Sequence, residues 1–210
     1  MNKIKSFFVT VVFTALVFAL SSCASLLPRV SMSKGMPESF FSDAKINIDD
    51  SKSVSYTFES KLEDPFPYYK RAFVDLNPSY KSVLNNYINY KYAPADSGDG
   101  NYHIDVILED CTYEWVPAGT RSASAYNYST GAMSSAFESY VKVTTELVVK
   151  VRVNVNGKVS EKKITGMGEF TGSNSQYSTV SNSFDLAIRA TISSMDRFLS
   201  STIGTATADP

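Results

Sequence analysis

Val141-Lys-Val-Thr-Thr-Glu-Leu-Val-Val-Lys-Val-Arg-Val-Asn-Val155, then Asn156-Gly157, then Lys158-Val-Ser-Glu-Lys-Lys-Ile-Thr-Gly-Met-Gly-Glu-Phe170 is the stretch that decides the fold. Odd positions from 141 to 155 are apolar except Thr145, and even positions are mostly Lys, Thr, Glu, Arg and Asn. A period of two puts one face of a strand on a core and the other in water. Asn-Gly between two such runs is a hairpin signal, because both residues tolerate the positive φ of a type I′ turn. A two-residue turn fixes the register. Val155 faces Lys158, Val149 faces Ile164, Leu147 faces Gly166 and Val143 faces Phe170, while Val151 meets Lys162 and Val153 meets Ser160. The apolar face thins toward the turn, so that end is expected to project beyond the helices. Gly166 and Gly168 leave room for a helix or an aromatic ring to approach the backbone.

Upstream, Tyr102, Ile104, Val106 and Leu108 alternate with polar residues, whereas Cys111, Tyr113 and Trp115 share the other parity. One extra residue shifts phase in this way, which predicts a β-bulge near Glu109-Asp110. Pro117 to Ser135 is rich in Ser, Ala and Tyr and reads as the least structured interior segment. A connection that long either binds something or is a loose link. Arg121, Tyr126, Tyr128 and Met133 are its candidate contact residues. Thr171 to Thr179 reads as a second loop. A first strand is expected at Lys45–Ile48 or, better supported by alternation, at Ser53–Phe58. Tyr68 to Leu76 is ambiguous between helix and strand.

Two helices frame these strands. Asn77-Pro78 looks like a cap followed by a first helical position. Tyr80, Val83, Leu84, Tyr87 and Ile88 then form one apolar stripe. Ser181 or Ser183 looks like the cap of the last helix, whose stripe is Phe184, Ala187, Ile188, Thr191, Ile192, Met195, Phe198 and Leu199. The expected fold is α+β, a two-layer sandwich. A mostly antiparallel sheet of about four strands, with the long Asn-Gly hairpin, packs against two helices.

The N-terminus carries a different signal. Lys3 and Lys5 precede an apolar run of 14 residues, Phe7 to Leu20. That run is shorter than the roughly 20 residues a spanning helix needs. Leu20-Ser21-Ser22-Cys23 follows, and it resembles the lipobox of bacterial lipoprotein signal peptides. The resemblance implies cleavage between Ser22 and Cys23 and lipidation of Cys23. Ala24 follows the lipid site, where an Asp would favour the inner membrane in enterobacterial-type sorting; its absence points to the outer membrane. The chain then divides into a signal peptide (1–22), a lipid anchor and flexible tether (23–44), a single α+β domain (45–200) and a frayed tail (201–210).

Cleavage leaves 188 residues (210 less 22), one domain of ordinary size. Without Lys3 and Lys5 the balance is 18 basic to 21 acidic, net −3. A nucleic-acid partner would favour a basic face, so none is expected. With Cys23 lipidated, Cys111 has no cysteine partner and the core must carry stability.

Catalytic patterns are scarce. His103 is the only histidine, and it reads as a solvated edge-strand residue without placeable triad or zinc partners. Asp105, Glu109 and Asp110 read as a solvated acidic face, with a weak cation site as the sharper alternative. Cys111 reads as a buried small residue, with no neighbouring base to activate it. Gly166-Met-Gly168 lacks the rest of a phosphate loop. Lys158, Lys162 and Lys163 near the hairpin turn read as solvated, with acidic headgroups or a partner as the alternative. No metal and no cofactor are expected.

The order of lipobox, tether, strand, helix, strand, Asn-Gly hairpin, glycine-bearing strand and helix resembles the YajG-type family of bacterial lipoproteins. The residues that carry it are Leu20–Cys23, the helix Tyr80–Tyr90, the strand from Tyr102, Val141–Gly157, and Gly166-Met-Gly-Glu-Phe170 ahead of Phe184–Leu199. Auxiliary lipoproteins of lipid-trafficking ABC systems and the lipoprotein of the lipopolysaccharide translocon share the layout more broadly. The resemblance implies no catalytic residues. The chain is therefore read as a membrane-anchored envelope lipoprotein on the periplasmic side. It would act without catalysis, as a scaffold that binds another envelope protein. The alternative is a lipid- or glycolipid-handling auxiliary component of an envelope transport system.

Overall fold

The computed structural model describes residues 29–30, 54–68, 72–92, 102–127, 129–174 and 177–206. The expected signal peptide, Cys23, the Lys45–Ile48 alternative and Tyr128 lie outside them.

The chain forms an α+β fold around a four-stranded sheet. Its members are β2 (Val54–Ser60), β5 (Tyr102–Asn127), β6 (Ala132–Val155) and β7 (Lys158–Ser173), in the order β2-β5-β6-β7. The β5–β6 and β6–β7 pairs are antiparallel, and β2 runs parallel to β5. That parallel pair needs a crossover, and α1 (Leu76–Lys91) supplies it. The last element is α2 (Tyr177–Ala206).

The β6–β7 register is the one the Asn-Gly turn dictates, from Val155 against Lys158 to Val143 against Phe170. Asn156 has φ 51° and Gly157 φ 84°, as a type I′ turn requires. The bulge stands at Glu109, where the β5–β6 register shifts between Leu108 and Asp110. The turn end does not project bare, because Val151, Val153 and Val155 are buried. The apolar face thins only on the β7 side, where Lys158, Ser160 and Lys162 stand opposite Val155, Val153 and Val151.

One face of the sheet carries the core. Ile104, Val106 and Leu108 from β5 and Val143, Leu147, Val149 and Val151 from β6 meet both helices. From α1 come Tyr80, Val83, Leu84, Tyr87 and Ile88; from α2 come Phe184, Ile188, Ile192, Met195 and Leu199. Each large side chain so buried contributes about 1.5–3 kcal/mol before ordering entropy. Added Cβ atoms at Gly166 and Gly168 would fall on the backbone of α2, at Ala187 and Thr191 and at Ser183 and Ala187. The glycines are what let α2 lie directly on β7. Thr145, the break in the odd-position pattern, is buried and hydrogen-bonds Ser183 Oγ at 2.8 Å; Ser183 donates in turn to Gly168 O at 2.9 Å.

Several sequence expectations are corrected. Helix α1 begins at Leu76 after Asp75, so Asn77-Pro78 sits inside its first turn. The Asn77 side chain is instead spent on Ser60 Oγ and Leu62 O. Helix α2 begins at Tyr177, one turn or more before Ser181 and Ser183, and it shortens the expected 171–179 loop. It continues through Ile203, which is buried, to Ala206, so the expected frayed tail is helical over most of its length. Periodicity missed this turn because Gly204 reads as a stop.

A second, small sheet was not foreseen. It comprises β1 (Arg29–Val30), β4 (Ala72–Val74) and β3 (Phe66–Tyr68), in that order, with β1 parallel to β4. Strand β1 falls inside the expected tether. Phe66 packs on Tyr113 of β5 and Phe184 of α2, which fixes the small sheet beside the first turns of α2. Strands of two or three residues show no measurable alternation.

Candidate functional site

The largest departure from expectation is also the strongest candidate for function. Pro117 to Ser135, expected to lack structure, is a two-stranded ribbon. Strand β5 runs 26 residues and β6 runs 24, joined by a turn at Ser129–Gly131. The companion strands stop earlier. Strand β2 pairs with β5 only as far as Leu108, and β7 pairs with β6 only as far as Tyr140. From Thr120–Ser139 to Asn127–Ala132, eight pairs form an arm with no described strand on either edge. At about 3.4 Å per residue the arm extends about 25 Å.

Its sequence is unusual for this chain. Residues 122–137 contain no charged side chain, against 20% charged overall. Exposed edges are ordinarily protected by Lys, Pro, bulges or short length. Charge, proline and bulge are confined to the root of this arm. There a second register shift lies between Pro117 and Gly119, and Gly119 has φ 116°. Phe137 stands opposite Ser122 and is 80% exposed.

The root holds a shallow groove of about 370 Å³, lined by Ala118, Gly119, Thr120, Arg121, Tyr140 and Thr171. Gly119 opposes Tyr140 in the ladder, so no side chain fills the space between β6 and the bulge. The Arg121 guanidinium lies over the Tyr140 ring, 5.4 Å from its centroid. The Tyr140 hydroxyl donates to Glu138 Oε2 at 3.1 Å. This stack places one cation in a groove that Thr120 and Thr171 also line.

Of the residues singled out from sequence, Arg121 lies in the groove and Tyr126 on the arm. Lys158 and Lys162 are not part of this surface. They belong to the opposite end of the β6–β7 hairpin, and the Lys162 ammonium lies over the Phe198 ring at 5.7 Å. Lys163 pairs with Glu109 at 3.3 Å, and Glu109 also meets Lys61.

His103 is not an edge residue. It lies on an interior strand, on the sheet face away from the helices. Its Nδ1 is 2.7 Å from Ser55 Oγ across the parallel pair, and its Nε2 is 2.9 Å from Asp105 Oδ1. Thr57 also donates to that carboxylate. Sequence reasoning placed no partner for His103 because β2–β5 pairing is parallel and non-local. The trio has the residue types of a nucleophilic triad. A triad also needs donors aimed at the developing oxyanion. Here the backbone N–H groups of β5 are committed to ladders on both sides, with β2 and β6. Ser55, His103, Asp105 and Thr57 make a cross-strand hydrogen-bonded clamp that pins β2 to the sheet.

Cys111 is buried, and its thiol is pushed up to about 12, first by burial and then by the Asp110 charge. Such a thiol is a poor nucleophile and a poor metal ligand. Among the described residues no group of three His, Cys, Asp or Glu side chains is placed to hold a metal ion. Compared with protein-family models and with curated proteins, the chain matches none.

Proposed function

We propose that this chain is a lipid-anchored envelope protein that works by docking, with the 120–139 arm as its binding element. One observation carries the reading: six ladder pairs, Ser122–Phe137 to Asn127–Ala132, with no charged residue and no described strand on either edge. A two-stranded ribbon is marginal in water by itself. Adding a strand from a partner satisfies its edge N–H and C=O groups, which is the chemistry of β-strand addition.

The anchor shapes how the arm is presented. With lipid on Cys23, only Ala24 to Pro28 separate it from β1. Even fully extended, that link spans about 20 Å. The body is therefore held close to the bilayer by its small sheet, with the periplasmic side of the outer membrane as the proposed location. Two acyl chains or more hold firmly, at about 0.8 kcal/mol per buried CH₂. Lipid handling through a gap between sheet and helices has less support, because Tyr80, Tyr87, Tyr102 and Phe184 fill that space and are fully buried.

The test is co-purification from envelopes. The lipidated full-length chain is compared with a variant in which residues 122–137 are replaced by Asn-Gly. Stoichiometric capture of a protein by the first and not by the second supports docking through the arm. Equal capture by both, or none by either, overturns it.

A further inference from the structure

We infer that the arm's partner is a second copy of this chain, paired arm edge to arm edge so that two ribbons close into one continuous sheet. The inference rests on the docking reading above and names its occupant.

Two observations on the arm favour a self-complementary contact. The first is charge. When two identical edges pair antiparallel, the residue on the two-fold axis faces its own copy and its neighbours face residues of the same short stretch, so like charges there would stand opposite one another and destabilise the pairing. Residues 122–137 remove that risk, since Arg121 and Glu138 stand at the root and nothing charged lies between them. In antiparallel pairing about Ser124, Arg121 of one copy falls opposite Asn127 of the other.

The second is height. Five residues between the lipid site and β1 keep every copy at nearly the same distance from the bilayer. Phe66 of β3 packs on Tyr113, six residues before Gly119, so the small sheet is tied to the strand that becomes the arm. Copies in one membrane therefore present their arms at matching levels. That confinement raises the effective concentration of one arm for another without any added contact.

The experiment uses the full chain, purified in detergent and reconstituted in vesicles. Ser124 is exposed on the arm, and Thr57 is exposed on the open sheet face as a control. Under mild oxidation, Ser124→Cys is expected to give a disulfide-linked dimer, and Thr57→Cys none. Light scattering is expected to report a dimer that the double variant Ser122→Lys, Ser124→Lys weakens at least ten-fold, with its circular dichroism unchanged. The cysteine readout needs no disruptive substitution, so it stands even if the lysine variant misfolds. A monomer mass together with no Ser124→Cys dimer overturns the inference. If a different protein is then captured through the arm, docking survives and only its occupant is wrong. If nothing is captured, both fall.

Discussion

At the scale of single residues, the contact between β7 and α2 is the least forgiving place in the molecule. A methyl at Gly168 meets the backbone of Ser183 and Ala187, which cannot swing away as a side chain would. Gly168→Ala is expected to cost about 2–3 kcal/mol, read as a lower urea midpoint with unchanged slope. Ser183→Ala strands the Thr145 hydroxyl and the Gly168 carbonyl in the interior, and is expected to cost about 1–3 kcal/mol. Thr145→Val removes a donor but keeps the shape, and costs less than Ser183→Ala. Equal losses from the two would remove the hydrogen-bond chain as the explanation. Cys111 gives a chemical check. Its buried thiol, held protonated at neutral pH, is expected to resist iodoacetamide in the native chain and to react once urea unfolds it. Prompt native labelling would contradict the packing around β5.

At the scale of elements, the two helices are joined at one end by a charged contact that apolar periodicity does not reveal. Lys91 is 5% exposed and pairs with Asp196 at 3.2 Å, and Asp196 also accepts from the Tyr87 hydroxyl at 2.7 Å. Asp196→Ala removes the carboxylate facing the buried Lys91 ammonium and is expected to cost about 3 kcal/mol, the bottom of the usual range because Asp196 keeps some contact with water. The β6–β7 hairpin was fully legible: alternation gave its faces, and Asn156-Gly157 gave its register. The bulge at Glu109 was legible as a slip in parity. The parallel β2–β5 pair, the small sheet and the Ser55–His103–Asp105 clamp were not, since each depends on segments far apart in sequence. The arm was misread for a related reason. Ser, Ala and Gly carry weak strand propensity, so Pro117 to Ser135 looked loose. What orders it is the continuation of a ladder begun by Val141 to Val155. Arg121 was singled out as a lone cation, but its stack on Tyr140 follows only from the second bulge.

At the scale of the whole molecule, stability and docking are separate properties. Burial raises the ionisation of Tyr80, Tyr87 and Tyr92 above their ordinary 10.0 and that of Cys111 above 9.0. The unfolded chain therefore loses these protons first as pH rises. Their contribution is complete below about pH 9 and declines from there upward. The urea midpoint is expected to hold level to that point and then fall, and Tyr80→Phe is expected to flatten the fall. The arm lies outside this balance, because Thr120, Arg121, Ser122, Ser124, Phe137 and Ser139 along it are exposed. The central claim is that the arm, and not the sheet face or the Asn-Gly turn, meets the partner. Site-specific photocrosslinking in intact envelopes tests it most directly, with the crosslinker placed in turn at Ser124, Thr57 and Lys158. The account predicts a discrete adduct from Ser124 and none from the other two. Adducts from Thr57 or Lys158 with none from Ser124 would contradict it.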